Sequence, residues 1–133
     1  MRHSVFTYNS GMDIAPAFAI PPLHKRTRIP MRTIRAIARH IAKEFDPDSI
    51  ILFGSHAYGK PGAGSDVDLL VIMETPEGEF AASHAIVKSL PPIIFRVDVI
   101  ARSQSALEKR IQMGDRFMQE IVQKGKVLYA CDR

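Results

Sequence analysis

The chain has 133 residues, of which 46% are hydrophobic and 24% charged, with one cysteine and a formal charge of +4. That length supports a single core rather than two domains. A lone Cys131 excludes an intrachain disulfide, and no apolar run is long enough to cross a bilayer, so no membrane association and a cytoplasmic location are expected.

The first stretch, residues 1 to about 29, shows no sustained hydrophobic period and contains Pro16, Pro21 and Pro22. It is expected to be a poorly ordered extension (residues 1–30) ahead of a folded domain over 31–133. Ile14 to Leu23 is apolar, but prolines interrupt it and no small-residue cleavage site follows, so it does not read as a signal peptide. Met31 opens the patterned region, and the sequence leaves Met1 and Met31 both open as the start of translation.

From Met31 a helical period runs through Ile34, Ile37, Ala38, Ile41, Ala42 and Phe45, with Arg32, Arg35, Arg39 and Lys43 on the other side. Pro30 suits the first turn, and Asp46-Pro47 stops the helix because a residue before proline avoids the α region. Ser49 to Phe53 reads as a strand buried on both faces, ended by Gly54. A short helix over 55–59 and a loop over 60–65 precede a second strand, Asp66 to Met73. Residues 79 to 90 fit a helix with Phe80, Ser83, Ile86, Val87 and Leu90 on its inner side, ended by Pro91-Pro92. Ile93 to Ala101 alternates as a third strand. Ser105-Ala106-Leu107-Glu108 has capping-box spacing and starts a helical region broken near Gly114 and closed at Gly125, before a last strand over 126–130. The expected fold class is therefore mixed α/β (α+β), a central mixed β-sheet flanked by helices.

Three carboxylates stand out, because an apolar strand carries charge only where the charge is paired, hydrated or metal-bound. Asp66 and Asp68 lie at i and i+2 and so share one face of the second strand; Asp98 interrupts the third between Val97 and Val99. If the two strands are neighbours, all three face one cleft, a hard-oxygen set suited to Mg²⁺ or Mn²⁺ and to two-metal phosphoryl or nucleotidyl transfer. The bland alternative for Asp98 is an ion pair with Arg96 or Arg102. Gly54-Ser55 follows a strand and opens a short helix, a place where backbone can approach a phosphate closely. Lys60 is a candidate charge partner for the same phosphates. His56 is expected in a loop or helix lining the site; His40 and His84 lack metal-ligand spacing. The basic cluster Lys25, Arg26, Arg28, Arg32, Arg35 and Arg39 has no interleaved aromatics, which argues against nucleic acid as partner.

The run Leu52-Phe53-Gly54-Ser55-His56-Ala57-Tyr58-Gly59, the ten-residue gap and Ser65-Asp66-Val67-Asp68-Leu69-Leu70-Val71 resemble the signature of the nucleotidyltransferase superfamily related to DNA polymerase beta. With the ending Gly125-Lys126-Val127-Leu128-Tyr129, the chain looks most like the minimal nucleotidyltransferases of bacteria and archaea. The resemblance covers roughly residues 31 to 130. It implies the nucleotidyltransferase fold, with Mg²⁺ on Asp66 and Asp68. It further implies that Asp98 completes the metal site and helps deprotonate the acceptor hydroxyl, and that Gly54 and Ser55 hold a nucleotide triphosphate such as ATP. Many relatives have arginine where this chain has His56, so no phosphate role is carried over to that position. Several minimal members act as antitoxins beside a helical HEPN-domain protein, some by moving AMP onto a tyrosine of it. The expectation is a protein adenylyltransferase-like enzyme with such a partner; a non-catalytic antitoxin, a small-molecule (aminoglycoside-like) nucleotidyltransferase and a homo-oligomer stay open.

Overall fold

The computed structural model describes residues 29–62 and 64–132. The extension expected over residues 1–30 lies outside them except for Ile29 and Pro30. Ile29 is only 1% exposed and belongs to the core.

Among the described residues nine elements follow the expected order. The first helix, α1 (Met31–Phe45), buries Ile34, Ile37, Ala38 and Ile41 as its period requires, with Thr33 and Ala36 widening the buried face. Arg32, Arg35, Arg39 and Lys43 stay exposed on its other side. Pro30 sits one place earlier than expected, as the N-cap; its carbonyl accepts from Thr33 and Ile34. Asp46 ends the helix in the left-handed region (φ 48°), where aspartate is among the few tolerated side chains.

The strands β1 (Ser49–Phe53), β2 (Val67–Ile72), β3 (Val97–Arg102) and β4 (Lys126–Ala130) form one sheet in the order β3-β2-β1-β4. β1 pairs antiparallel with both β2 and β4, and β2 pairs parallel with β3. The parallel pair needs a crossover, supplied by α3 (Glu79–Ser89). One face of the sheet, through Ile50, Leu52, Leu69 and Val71, packs with the buried residues of α1 and α3. The other, through Ile51, Phe53, Leu70 and Ile72, packs with Leu107 of α4 (Gln104–Gln112) and with Met118 and Ile121 of α5 (Arg116–Lys124). β1 and β2 are thus covered on both sides, which is why their sequences read as continuous apolar runs.

Four local expectations need correction. The third strand begins at Val97, not Ile93, because β2 offers no ladder partner before Val67. The cap of α4 is Ser103, whose Oγ accepts from the Ala106 amide at 3.1 Å, so Ser105 and Glu108 lie inside the helix. Phe80 and Val87 are 84% and 41% exposed; α3 covers only the edge of the sheet, and Ile86 alone is fully buried on it. Gly125 does end α5, but in extended backbone (φ −67°, ψ 161°). It is glycine because a Cβ there would collide with the Ile121 carbonyl and Ile51.

Candidate functional site

The end of the sheet where β1 leaves and β2 and β3 enter gathers the expected residues. Asp68 stands between two register partners, Phe53 on β1 and Asp98 on β3. Asp66 precedes the ladder, and the next amide, that of Val67, donates to the Arg96 carbonyl at 3.0 Å. Since side chains alternate along a strand, Asp66 and Asp68 share a face with Arg96 and Asp98. The register therefore puts Asp66, Asp68 and Asp98 on one face of two neighbouring strands, with the Arg96 guanidinium among them.

Arg96 answers the alternative reading of Asp98. Its Nε donates to Asp98 Oδ1 at 2.9 Å and lies 3.9 Å from Asp66 Oδ2. Both partners raise the guanidinium pKa, the hydrogen bond to Asp98 most of all. The Arg96 side chain is 73% exposed, so this pair is solvated. Among the described residues no group of three or more His, Cys, Asp or Glu is arranged to hold a metal ion.

Asp68 is the electrostatic centre. Burial is the first cause that lifts its pKa from 3.8 to about 6; the charges of Asp98 and Asp66 and a hydrogen bond with the Asp98 side chain add to the rise, and Arg96 opposes it. A carboxylate poised this way gains from any added cation, because the cation removes the repulsion that resists ionisation.

Gly54 builds the wall beside it. Its φ of 76° and ψ of −155° belong to backbone that only glycine adopts freely, and a Cβ at this position would run into Asp68 Oδ2. Ser55 then opens α2 (Ser55–Tyr58), a single turn in which the Ala57 and Tyr58 amides donate to the Gly54 carbonyl. Lys60, expected near the same phosphates, stands exposed in the following loop and forms no ion pair with the three carboxylates.

Two residues carry more of the site than the sequence suggested. His56 is 2% exposed rather than site-lining, and its ring Nε2–H donates to the Ser65 carbonyl at 3.3 Å. It fastens α2 to the residue just before Asp66, so its role is to hold the loop. Arg96 was signalled by its place two residues before Asp98, which puts both side chains on one face.

No curated protein matches the chain in sequence. Among solved structures, the crystal structure of a "putative nucleotidyltransferase" from Sulfolobus solfataricus is similar at 19% identity, over 75% of this chain and 79% of that one, with a TM-score of 0.52. At that identity the likeness is one of fold. No helix among the described residues is long and apolar enough to cross a membrane. The model of the family described as "Nucleotidyltransferase domain" matches residues 31–128. With that match spanning most of its length, the chain belongs to the nucleotidyltransferase domain family, and transfer of a nucleotidyl group is its general activity.

Proposed function

We propose that this chain moves AMP from ATP to a hydroxyl of a protein acceptor, using a divalent cation held by Asp66, Asp68 and Asp98. The observation that carries the reading is the parallel register of Asp68 with Asp98, with Asp66 two residues away on the same face. The donor set fits Mg²⁺ or Mn²⁺ in kind, being all carboxylate oxygen, and the elevated Asp68 pKa marks a place where added positive charge is favourable. When bound, the cation offsets charge on the attacking and leaving oxygens.

The chain's own residues supply the rest. Gly54 and Ser55 face the triphosphate from the turn that presses on Asp68. Lys60, on the neighbouring loop, is a mobile-reach charge for the outer phosphates. Asp98, on the edge strand, takes the proton of the incoming hydroxyl. The acceptor oxygen forms its bond to the α-phosphorus as the bond to pyrophosphate breaks. The described residues build one sheet with its helices and no second lobe to hold a small acceptor. That supports an acceptor carried by another protein, here a tyrosine of a HEPN-type helical partner, with this chain as the antitoxin and a member of the minimal nucleotidyltransferase group.

One observation favours a second reading. Arg96 already satisfies Asp98 and Asp66, as it would in a binding module that neutralises its partner by covering it. The double variant Asp66→Asn/Asp68→Asn separates the two. With Mg²⁺, α-labelled ATP and the partner, the catalytic reading expects the variant to lose both label transfer and neutralisation. Neutralisation that survives without transfer supports the covering module, and full transfer by the variant refutes the carboxylate assignment.

A further inference from the structure

β3 is an edge strand, since no strand of the described residues lies beyond it. Its backbone has two sides. The carbonyls of Arg96 and Arg102 accept from Val67 and Met73, so the even-numbered residues turn their polar groups toward β2. By the period of two, Val97, Val99 and Ala101 turn theirs outward. The Ala101 amide is already taken: it donates to Ser83 Oγ of α3 at 3.0 Å. Among the described residues that leaves an open stretch of edge at Val97 and Val99, centred on Asp98.

A groove of about 560 Å³ runs beside this stretch, between α3 and the edge, lined by apolar side chains and, at its rim, by polar ones that include Arg96 and Asp98. Val97 and Val99 form its floor and Phe80, His84 and Val87 its α3 wall. Phe80 is 84% exposed and stacks on His84, with ring centroids 6.4 Å apart and planes 12° from parallel. Exposed edge strands recruit extended peptide: main-chain bonds give affinity and pockets read alternate side chains.

We propose that this edge and groove dock the acceptor as an extended segment of the partner protein, added antiparallel beside β3; the inference rests on the nucleotidyl-transfer reading above. Asp98 turns its backbone away from the added strand. It would therefore face its opposite number as a non-hydrogen-bonded pair, the kind whose side chains lie closest, about 4.5 Å between Cα atoms. That opposite residue projects onto the carboxylate face. If it is tyrosine, its ring carries the hydroxyl over Asp98 toward Asp68, one strand spacing of about 4.8 Å further in. The residues on either side of it project to the opposite face, into the groove, so apolar neighbours of the tyrosine are selected. Ser83 ends the pairing at Ala101 and thereby fixes the register.

The test uses the full chain and an array of nonapeptides with a central tyrosine or phenylalanine and varied flanking residues. Fluorescence polarisation without nucleotide reads binding, amide hydrogen exchange reads protection of Val97 and Val99, and α-labelled ATP with Mg²⁺ reads transfer. Peptides with apolar residues on both sides of the centre are expected to bind and to slow exchange at Val97 and Val99, with tyrosine and phenylalanine centres alike. The variant Phe80→Ala/Val87→Glu should weaken binding about tenfold, the scale of one buried apolar side chain, with an unchanged melting temperature. Absence of binding, indifference to the flanking residues, or full binding by that variant overturns the docking edge. Binding with protection but no label on any tyrosine keeps the docking edge and removes the catalytic reading. Label on a different acceptor with no peptide bound keeps the catalytic reading and removes the docking edge.

Discussion

Two arginines close the two ends of β3, and their surroundings differ. Arg102 is 13% exposed in its side chain and donates to Glu79, joining the exit of the strand to the first turn of α3. Arg96, at the entrance, is 73% exposed and lies among Asp98 and Asp66. A pair with one shielded partner resists separation because Arg102 would be left largely buried and uncompensated, whereas a solvated pair exchanges with water at little cost. The exit of β3 is therefore fixed frame, and the entrance is a place where positive charge can be exchanged. The same split appears around them. Ala101 is tied to Ser83 at the exit, while the edge at Val97 and Val99 is open at the entrance.

The contrast can be broken most sharply at the entrance. Asp98→Asn keeps the shape of the side chain and removes the proton acceptor; transfer of label from ATP should fall about a hundredfold or more, with the urea midpoint close to wild type. Transfer at the wild-type rate would return Asp98 to a purely structural pair with Arg96.

At the exit the loss should appear in stability. Arg102→Ala leaves Glu79 without its partner and should cost about 2 kcal/mol in unfolding free energy, read by urea denaturation. A midpoint no different from that of Arg96→Ala would erase the distinction between frame and entrance.

A smaller effect of opposite sign is expected at Asp68. Its folded pKa of about 6 lies above the ordinary value of 3.8, so the folded chain holds a proton that the unfolded chain has released. Stability from this group is fully present below about pH 4 and is lost as pH rises through about 6. Asp68→Asn cannot ionise and removes that slope. Without metal it should gain about 1 kcal/mol at neutral pH after allowance for solvent screening of a half-exposed group. Thermal melts across that pH range check it; parallel curves for the two proteins would contradict the assignment. The smallest effect belongs to Arg96→Gln, which should tighten Mn²⁺ binding about two- to fivefold, measured by electron paramagnetic resonance, because only a solvated pair competes with the ion.

Much of this frame was legible because burial leaves strong periods. The face of α1 and the apolar runs of β1 and β2 were all set by contacts on a fully covered surface. Prediction failed where coverage is partial or local signals repeat. α3 touches only the edge of the sheet, so Phe80 and Val87, inward by period, stand in solvent. Two serines two residues apart both offer a cap, and the exit of β3 at Arg102 decides for Ser103. At the site, Asp66, Asp68 and Asp98 were visible as charges in apolar strands. That Asp68 and Asp98 are direct neighbours follows from a pairing no local pattern encodes. The burial of His56 is equally non-local, since its anchor is a carbonyl nine residues on.

The close approach of Gly54 to Asp68 has a consequence for anyone who would re-engineer this protein. The carboxylate rests in a notch sized by a missing methyl group, so position 68 tolerates a change of charge better than a change of length. Asparagine fits the notch as aspartate does. Glutamate, conservative by charge, must push its extra methylene against the Gly54 backbone or swing the carboxylate away from Asp98. Redesign of nucleotide or metal preference here would start from isosteres at Asp68 and seek added bulk elsewhere, on the exposed side chains of Asp66 and Arg96.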